Sequence, residues 1–316
     1  MDSSQNLTDA IQRQFTPILV FGVGGRIGSG ASFVGNALTE ELKAFGYTVK
    51  RIRVTDLALS DNNRLTQWLC MGEDFNTKRY DGNADAFESM LGRFGLKCDA
   101  LSPEAKRVLI LQKNGNLLRQ KYHSNFLAAV CIDHIAKDLR ENRILDPPTR
   151  RIAYIIDSLK NPAEVQLLQT VFGKCFIMIG VVADDAVQKR RLSDQKQFTS
   201  REFAAVSEID AGETEDYGQH ATETILTADY FFENNYDKET KIKSECARLL
   251  NLVFETVIET PRRDEFGMYM AFIAADKSAC LSRQVGASIV GADGSVLATG
   301  HNDVPRFGGG LYSSES

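Results

Sequence analysis

The run from Ile18 to Ser32, Ile-Leu-Val-Phe-Gly-Val-Gly-Gly-Arg-Ile-Gly-Ser-Gly-Ala-Ser, limits what this chain can fold into more than any other stretch. Ile18 to Val23, apolar and β-branched, predicts a strand buried on both faces. Glycines at 22, 24, 25, 28 and 30 then forbid a regular element, and helical periodicity resumes from Ala31 to Phe45. Strand, glycine loop and helix in that order is the arrangement that cradles a phosphate. Glycine allows positive φ, so several N–H groups converge on one anion, and the helix N-terminus adds its partial positive charge. Gly25, Gly28, Ser29, Gly30 and Ser32 are the candidate phosphate-binding residues.

The spacing approaches the phosphate-loop pattern G-x-x-x-x-G-K-[ST], with Gly25, four residues, then Gly30, Ala31 and Ser32. Alanine stands where the lysine belongs. That lysine ordinarily neutralises charge on the β- and γ-phosphates, so phosphoryl transfer is not expected here, whereas Ser32 retains the hydroxyl that faces a magnesium ion. Two readings stay open at this level: a phosphate cradle, and a glycine-rich strand-to-helix turn without a ligand.

At 316 residues the chain predicts two domains, and a net charge of −5 argues against a broad nucleic-acid-binding surface. The longest apolar run, Phe176 to Ala183, is well below the ~20 residues that cross a bilayer, so no membrane segment is expected. Residues 1–15 are polar and unlike a signal peptide, and read as a loosely held arm. Six cysteines, 70, 98, 131, 175, 246 and 280, include no C-x-x-C pair. Free thiols in a reducing, cytoplasmic setting follow, most of them buried.

Thr48 to Asp56 reads as a second strand, and Leu57 to Leu101 as a polar helical insert carrying Trp68. Asn125 to Glu141 is a helix whose stripe includes His134, read as a core histidine. Arg151 to Asp157 is a near-continuous apolar strand closing on a carboxylate. Beside a phosphate loop such an acid orients magnesium or water; otherwise it only caps the next turn. Cys175 to Ala183 is another buried strand, and this alternation predicts a parallel sheet with helices on both faces. Asp184 to Arg201 is helical and basic, placing Arg190 and Arg191 either where an arm closes over phosphates or on a solvated charged helix face. Glu208 to Asp216 holds five acids and reads as an exposed turn. Ala228 to Asn234 is the last strand, and Lys238 to Glu259 a long helix. The nucleotide-binding domain is thus expected over 16–260.

Residues 266–316 form a second, shorter region. Phe266 to Cys280 is a helix, and Gln284 to Val290 and Ser295 to His301 form a hairpin around Asp293-Gly294. Val285, Ala287 and Ile289 are expected to alternate inward. Met268 to Cys280, Arg283-Gln-Val-Gly-Ala-Ser-Ile-Val290 and Gly300-His-Asn-Asp-Val-Pro305 together resemble the start of a deoxycytidylate deaminase domain, of the zinc cytidine deaminase fold. The lysine-less loop, Asp157-Ser-Leu-Lys-Asn-Pro-Ala-Glu-Val165 and Ala228 to Asn234 resemble the deoxynucleoside-kinase-like domain of the anti-phage dCTP deaminases.

The resemblance implies a deoxycytidine-nucleotide (dCTP or dCMP) deaminase in antiviral nucleotide depletion, homo-oligomeric at full length. A second nucleotide, with magnesium, would bind at the phosphate loop as a regulatory ligand. It implies zinc as cofactor and places Asn302 in the deaminase substrate pocket. The H-x-E and P-C-x-x-C segments that would hold zinc and shuttle the proton are not in this sequence. No catalytic or metal residue is therefore assigned, and the chain is expected to be the N-terminal portion of a deaminase or a shortened relative. A nucleotide kinase and a non-catalytic nucleotide-binding module are the alternatives.

Overall fold

The computed structural model describes residues 17–54, 84–141, 151–235 and 238–312. The arm, Trp68 with most of its insert, and Cys70 lie outside them. Contacts divide the chain into Met1–Phe254 and Glu255–Ser316.

In the first unit, β1 (Ile18–Gly25) leads through the glycine loop to α1 (Ala31–Ala44) and β2 (Tyr47–Arg53). Helices α2 (Ala84–Gly92), α3 (Pro103–Lys121) and α4 (Phe126–Glu141) follow, then β3 (Arg151–Leu159), α5 (Pro162–Phe172) and β4 (Phe176–Val182). Next come α6 (Asp185–Lys196), α7 (Ser200–Ala211), α8 (Ala221–Leu226), β5 (Tyr230–Glu233) and α9 (Glu239–Phe254). The sheet is parallel, in the order β2-β3-β1-β4-β5, with helices on both faces: the α/β arrangement of phosphate-loop nucleotide-binding domains.

Because a central parallel strand is buried on both sides, its side chains feed two cores alternately. Leu19, Phe21 and Val23 pack with α1 and α9 through Val34, Leu38 and Leu250. Val20 faces the opposite core, with Leu127 and Cys131 of α4 and Leu168 of α5. A third core, among α2, α3, α6 and α7, joins Leu91, Leu109, Leu192 and Val206. The ladder between β1 and β3 steps over Ser158, pairing Val23 with Asp157 and Gly24 with Leu159. Ser158 itself has φ 74°, a left-handed conformation uncommon for a residue with a Cβ.

Several sequence expectations are corrected here. β2 ends at Arg53, before Val54, and Asp56 lies outside the described residues. The basic stretch forms two helices, because Gln197 takes a left-handed φ of 58° and Thr199 caps α7 through a capping box with Glu202. Asp210, assigned to an exposed acidic turn, lies in α7 and is buried. Helix α9 stops at Phe254, five residues before Glu259, where Glu255 turns left-handed at φ 51°. His134 is exposed on α4; the buried positions of that stripe are Leu127, Val130, Cys131 and Ile135.

The second unit contains α10 (Arg263–Ala275) and the antiparallel hairpin β6 (Gly286–Val290) with β7 (Val296–His301). The hairpin face is opposite to the expected one. Ser288 Oγ donates to the Gly267 carbonyl at 2.6 Å, and Gly286 lies so close to Ala271 and Ala275 that no Cβ fits there. Small residues thus let β6 close on α10. Val285 and Ile289 point away, at 49% and 61% exposure.

Candidate functional site: the glycine loop and its cavity

The loop between β1 and α1 is shaped at Gly28 and Gly30, with φ of 80° and 85°. Gly30 is the N-cap of α1 and supplies no side-chain cap, so the helix's first amides, those of Ala31 and Ser32, have no carbonyl one turn back. The first half of the loop is spoken for: the Ile27 amide donates to Asp210 Oδ2 at 2.7 Å, and the Ser29 amide to the Arg26 carbonyl at 3.0 Å. The anion cradle therefore lies at the second half, where the loop enters the helix.

A cavity of about 450 Å³ opens there. Gly25, Gly28, Gly30, Ser32, Asp157 and Arg191 line it, whereas Ser29 and Arg190 do not. Ser29 is buried beneath the loop, and Arg190 is exposed on α6. Arg191 is held from below. Its guanidinium donates to the carbonyls of Gly28 at 3.1 Å, Ser29 at 3.0 Å and Asn234 at 2.6 Å. Asn234 adds a bond from Nδ2 to the Ser29 carbonyl at 2.9 Å. The two residues brace the loop from the side of α6 and β5.

At the end of β3, buried Asp157 accepts from Ser32 Oγ at 3.0 Å and from Arg51 at 2.5 Å through the same oxygen, Oδ2. Ser158 Oγ approaches its other oxygen at 3.3 Å. Sequence reasoning missed Arg51, although period-two alternation along β2 puts it on the face of Val49, next to the strand bearing Asp157.

It also missed Lys160. Its ammonium lines the cavity and sits 2.6 Å from the Gly25 carbonyl and 2.7 Å from Asp210 Oδ1. A lysine thus reaches the base of the loop from β3 rather than from α1, where Ala31 stands. Further along the cavity, Arg119 pairs with Glu164 at 2.8 Å in a fully buried ion pair. Arg107 and Lys196 both line it; burial first, then the Arg107 charge, hold Lys196 below the usual 10.5. Gln112 donates from Nε2 to the Val206 carbonyl at 3.2 Å, and among the described residues its buried Oε1 has no partner. Together these groups make a cleft with fixed amides at one end, cations along its wall and an acid at its floor.

Magnesium would be expected of Ser32 and Asp157, but the carboxylate already receives the Ser32 hydroxyl and the Arg51 guanidinium, so the pair does not fit a metal site. For zinc, no group of three or more His, Cys, Asp or Glu that could hold a metal ion occurs among the described residues. Asn302, assigned to a deaminase pocket, has both amide atoms in use: Oδ1 accepts from the Val285 amide at 2.8 Å and Nδ2 donates to the Arg283 carbonyl at 3.0 Å. No described helix is long and apolar enough to cross a membrane.

No family model matches the chain. No curated protein does so at the significance required. Among solved structures, TT1252 from Thermus thermophilus is similar at 17% identity and a TM-score of 0.38, covering 75% of this chain and 99% of that one. Dephospho-CoA kinase from Campylobacter jejuni gives 16% identity, a TM-score of 0.29 and coverages of 75% and 98%. Shikimate kinase from Acinetobacter baumannii gives 12%, 0.35, and coverages of 78% and 98%. These likenesses are distant, so the chemistry is read from the site's own residues.

Proposed function

We propose that the first unit is a nucleotide-binding module that holds phosphate groups at the Gly28–Ser32 turn without transferring them. The observation that carries this is the turn itself: two left-handed glycines deliver the free amides of a 14-residue helix to a cavity large enough for a nucleotide. Ala31 argues against transfer. Lys160, whose ammonium reaches the base of the loop, is committed to Gly25 and Asp210. Calorimetry with ATP and with dCTP tests it: binding is expected, without ATP hydrolysis. Gly30→Val is expected to lower affinity by about tenfold or more, because its Cβ meets Asn234 and its φ becomes strained. Unchanged affinity of Gly30→Val would reject the cradle.

A second reading is the anti-phage type of deoxycytidine-nucleotide deaminase, with the loop as its regulatory site. It is favoured by the sequence resemblance of 268–305, which folds here as a helix packed on a hairpin. Assay of dCTP and dCMP conversion to deoxyuridine nucleotides, with zinc added, separates the two. Turnover would establish the enzyme; none from this chain is the outcome expected of the module alone.

A further inference from the structure

Asp157 closes β3 at the position from which a carboxylate ordinarily orients a magnesium ion beside the loop serine. Here its side chain is 3% exposed and its Oδ2 is shared by Ser32 Oγ and the Arg51 guanidinium. Arg51 also donates to Asn36 Oδ1 of α1, so the guanidinium bridges strand and helix behind the serine.

Room for that guanidinium is made in the sequence. Gly35 sits in the middle of α1, where glycine costs about 1 kcal/mol relative to alanine. A Cβ at Gly35 would lie 2.9 Å from an Arg51 terminal nitrogen, so the helix gives up stability where the cation packs.

We propose that the loop binds its nucleotide without a metal ion fixed by Ser32 and Asp157, because Arg51 already supplies the positive charge that balances the acid. This rests on the reading of the loop as a phosphate cradle. A hard divalent cation needs free oxygen ligands, and both oxygens of Asp157 already receive hydrogen bonds. Placing the cation there means expelling Asp157's donors or setting a dication against a part-buried guanidinium. The one O–H of Ser32 is donated to Asp157, so a phosphate oxygen would be met by the backbone amides at the start of α1. Arg51 is a positioning residue in this scheme: it acts through Asp157 and not on the nucleotide.

Calorimetric titration of the full chain with ATP, and separately with dCTP, in magnesium and in EDTA decides the point. Dissociation constants agreeing within about threefold are expected. A loss of about tenfold or more on chelation overturns the proposal while leaving the cradle intact; absence of binding in both buffers overturns the cradle and this proposal together. Arg51→Gln should make binding magnesium-dependent by about tenfold, and Arg51→Lys, which keeps the charge, should not. Arg51→Gln binding that stays indifferent to the metal overturns the role given to Arg51. Should Arg51→Gln fail to fold, as judged by circular dichroism, the wild-type pair of titrations carries the decision alone.

Discussion

The Lys160 ammonium and the Asp210 carboxylate meet at 2.7 Å beneath the glycine loop, Asp210 being 1% exposed. Asp210 also accepts the Ile27 amide, so one buried acid ties α7 to both the loop and β3. Replacing Lys160 by Met leaves that carboxylate buried without its counter-charge. A loss of about 3–5 kcal/mol in urea denaturation is expected, and a loss below about 1 kcal/mol would show the pair is not coupled to folding.

Arg191 separates two roles for a cation near the loop. If it braced nothing and acted only by charge on a bound phosphate, Arg191→Lys would retain affinity. Its three bonds to the carbonyls of Gly28, Ser29 and Asn234 need the planar fork of a guanidinium. Arg191→Lys is therefore expected to lower stability by about 2 kcal/mol in the absence of any nucleotide, measured by thermal melting.

The thiols should divide by reactivity. Burial pushes Cys246 up to about 12 and Cys131 higher still, and both are fully enclosed. Cys280 is partly exposed, and backbone hydrogen bonds from Arg283 and Ser282 lower its pKa from the usual 9.0. Alkylation of the native chain at neutral pH, read by peptide mass spectrometry, should modify Cys280 before Cys131 or Cys246. Equal rates would contradict the described packing.

Acid should find Asp138 on α4. Burial alone would raise its pKa, but hydrogen bonds from Lys50 and Tyr154, with the Lys50 charge, outweigh that and hold it below the usual 3.8. A depressed folded pKa means the contribution is present above about pH 4 and disappears as pH falls through the folded value. In Asp138→Asn, the fall in stability between pH 5 and pH 3 should be shallower than in the parent chain. Parallel curves would remove Asp138 from the acid response.

The parallel sheet and its glycine turn were readable because both leave local marks. Apolar runs without alternation specify doubly buried strands, and glycines between strand and helix specify left-handed backbone. Asp157 was legible as the acid that ends such a run. What escaped were side chains whose role depends on register between distant strands. Arg51 meets Asp157 only because β2 lies beside β3, and Lys160 meets Asp210 only because α7 closes over the loop. Arg191 was found, but its bonds to loop carbonyls were not, since charge in a sequence does not name its partners. In the hairpin, the larger residues Val285 and Ile289 suggested the inner face. Close approach of strand to helix instead selected Gly286 and Ser288.

The skipped residue in β3 has a geometric effect on the floor of the cleft. Positions 157 and 160 are an odd number apart, and in an unbroken pleat an odd interval sends side chains to opposite faces. Leu159 shows the switch, since it packs with Ile152, Tyr154 and Ile156 instead of with odd-numbered Ala153 and Ile155. A single out-of-ladder serine thereby allows one strand end to furnish carboxylate and ammonium to a common chamber, and drawing it into the ladder would turn the two apart.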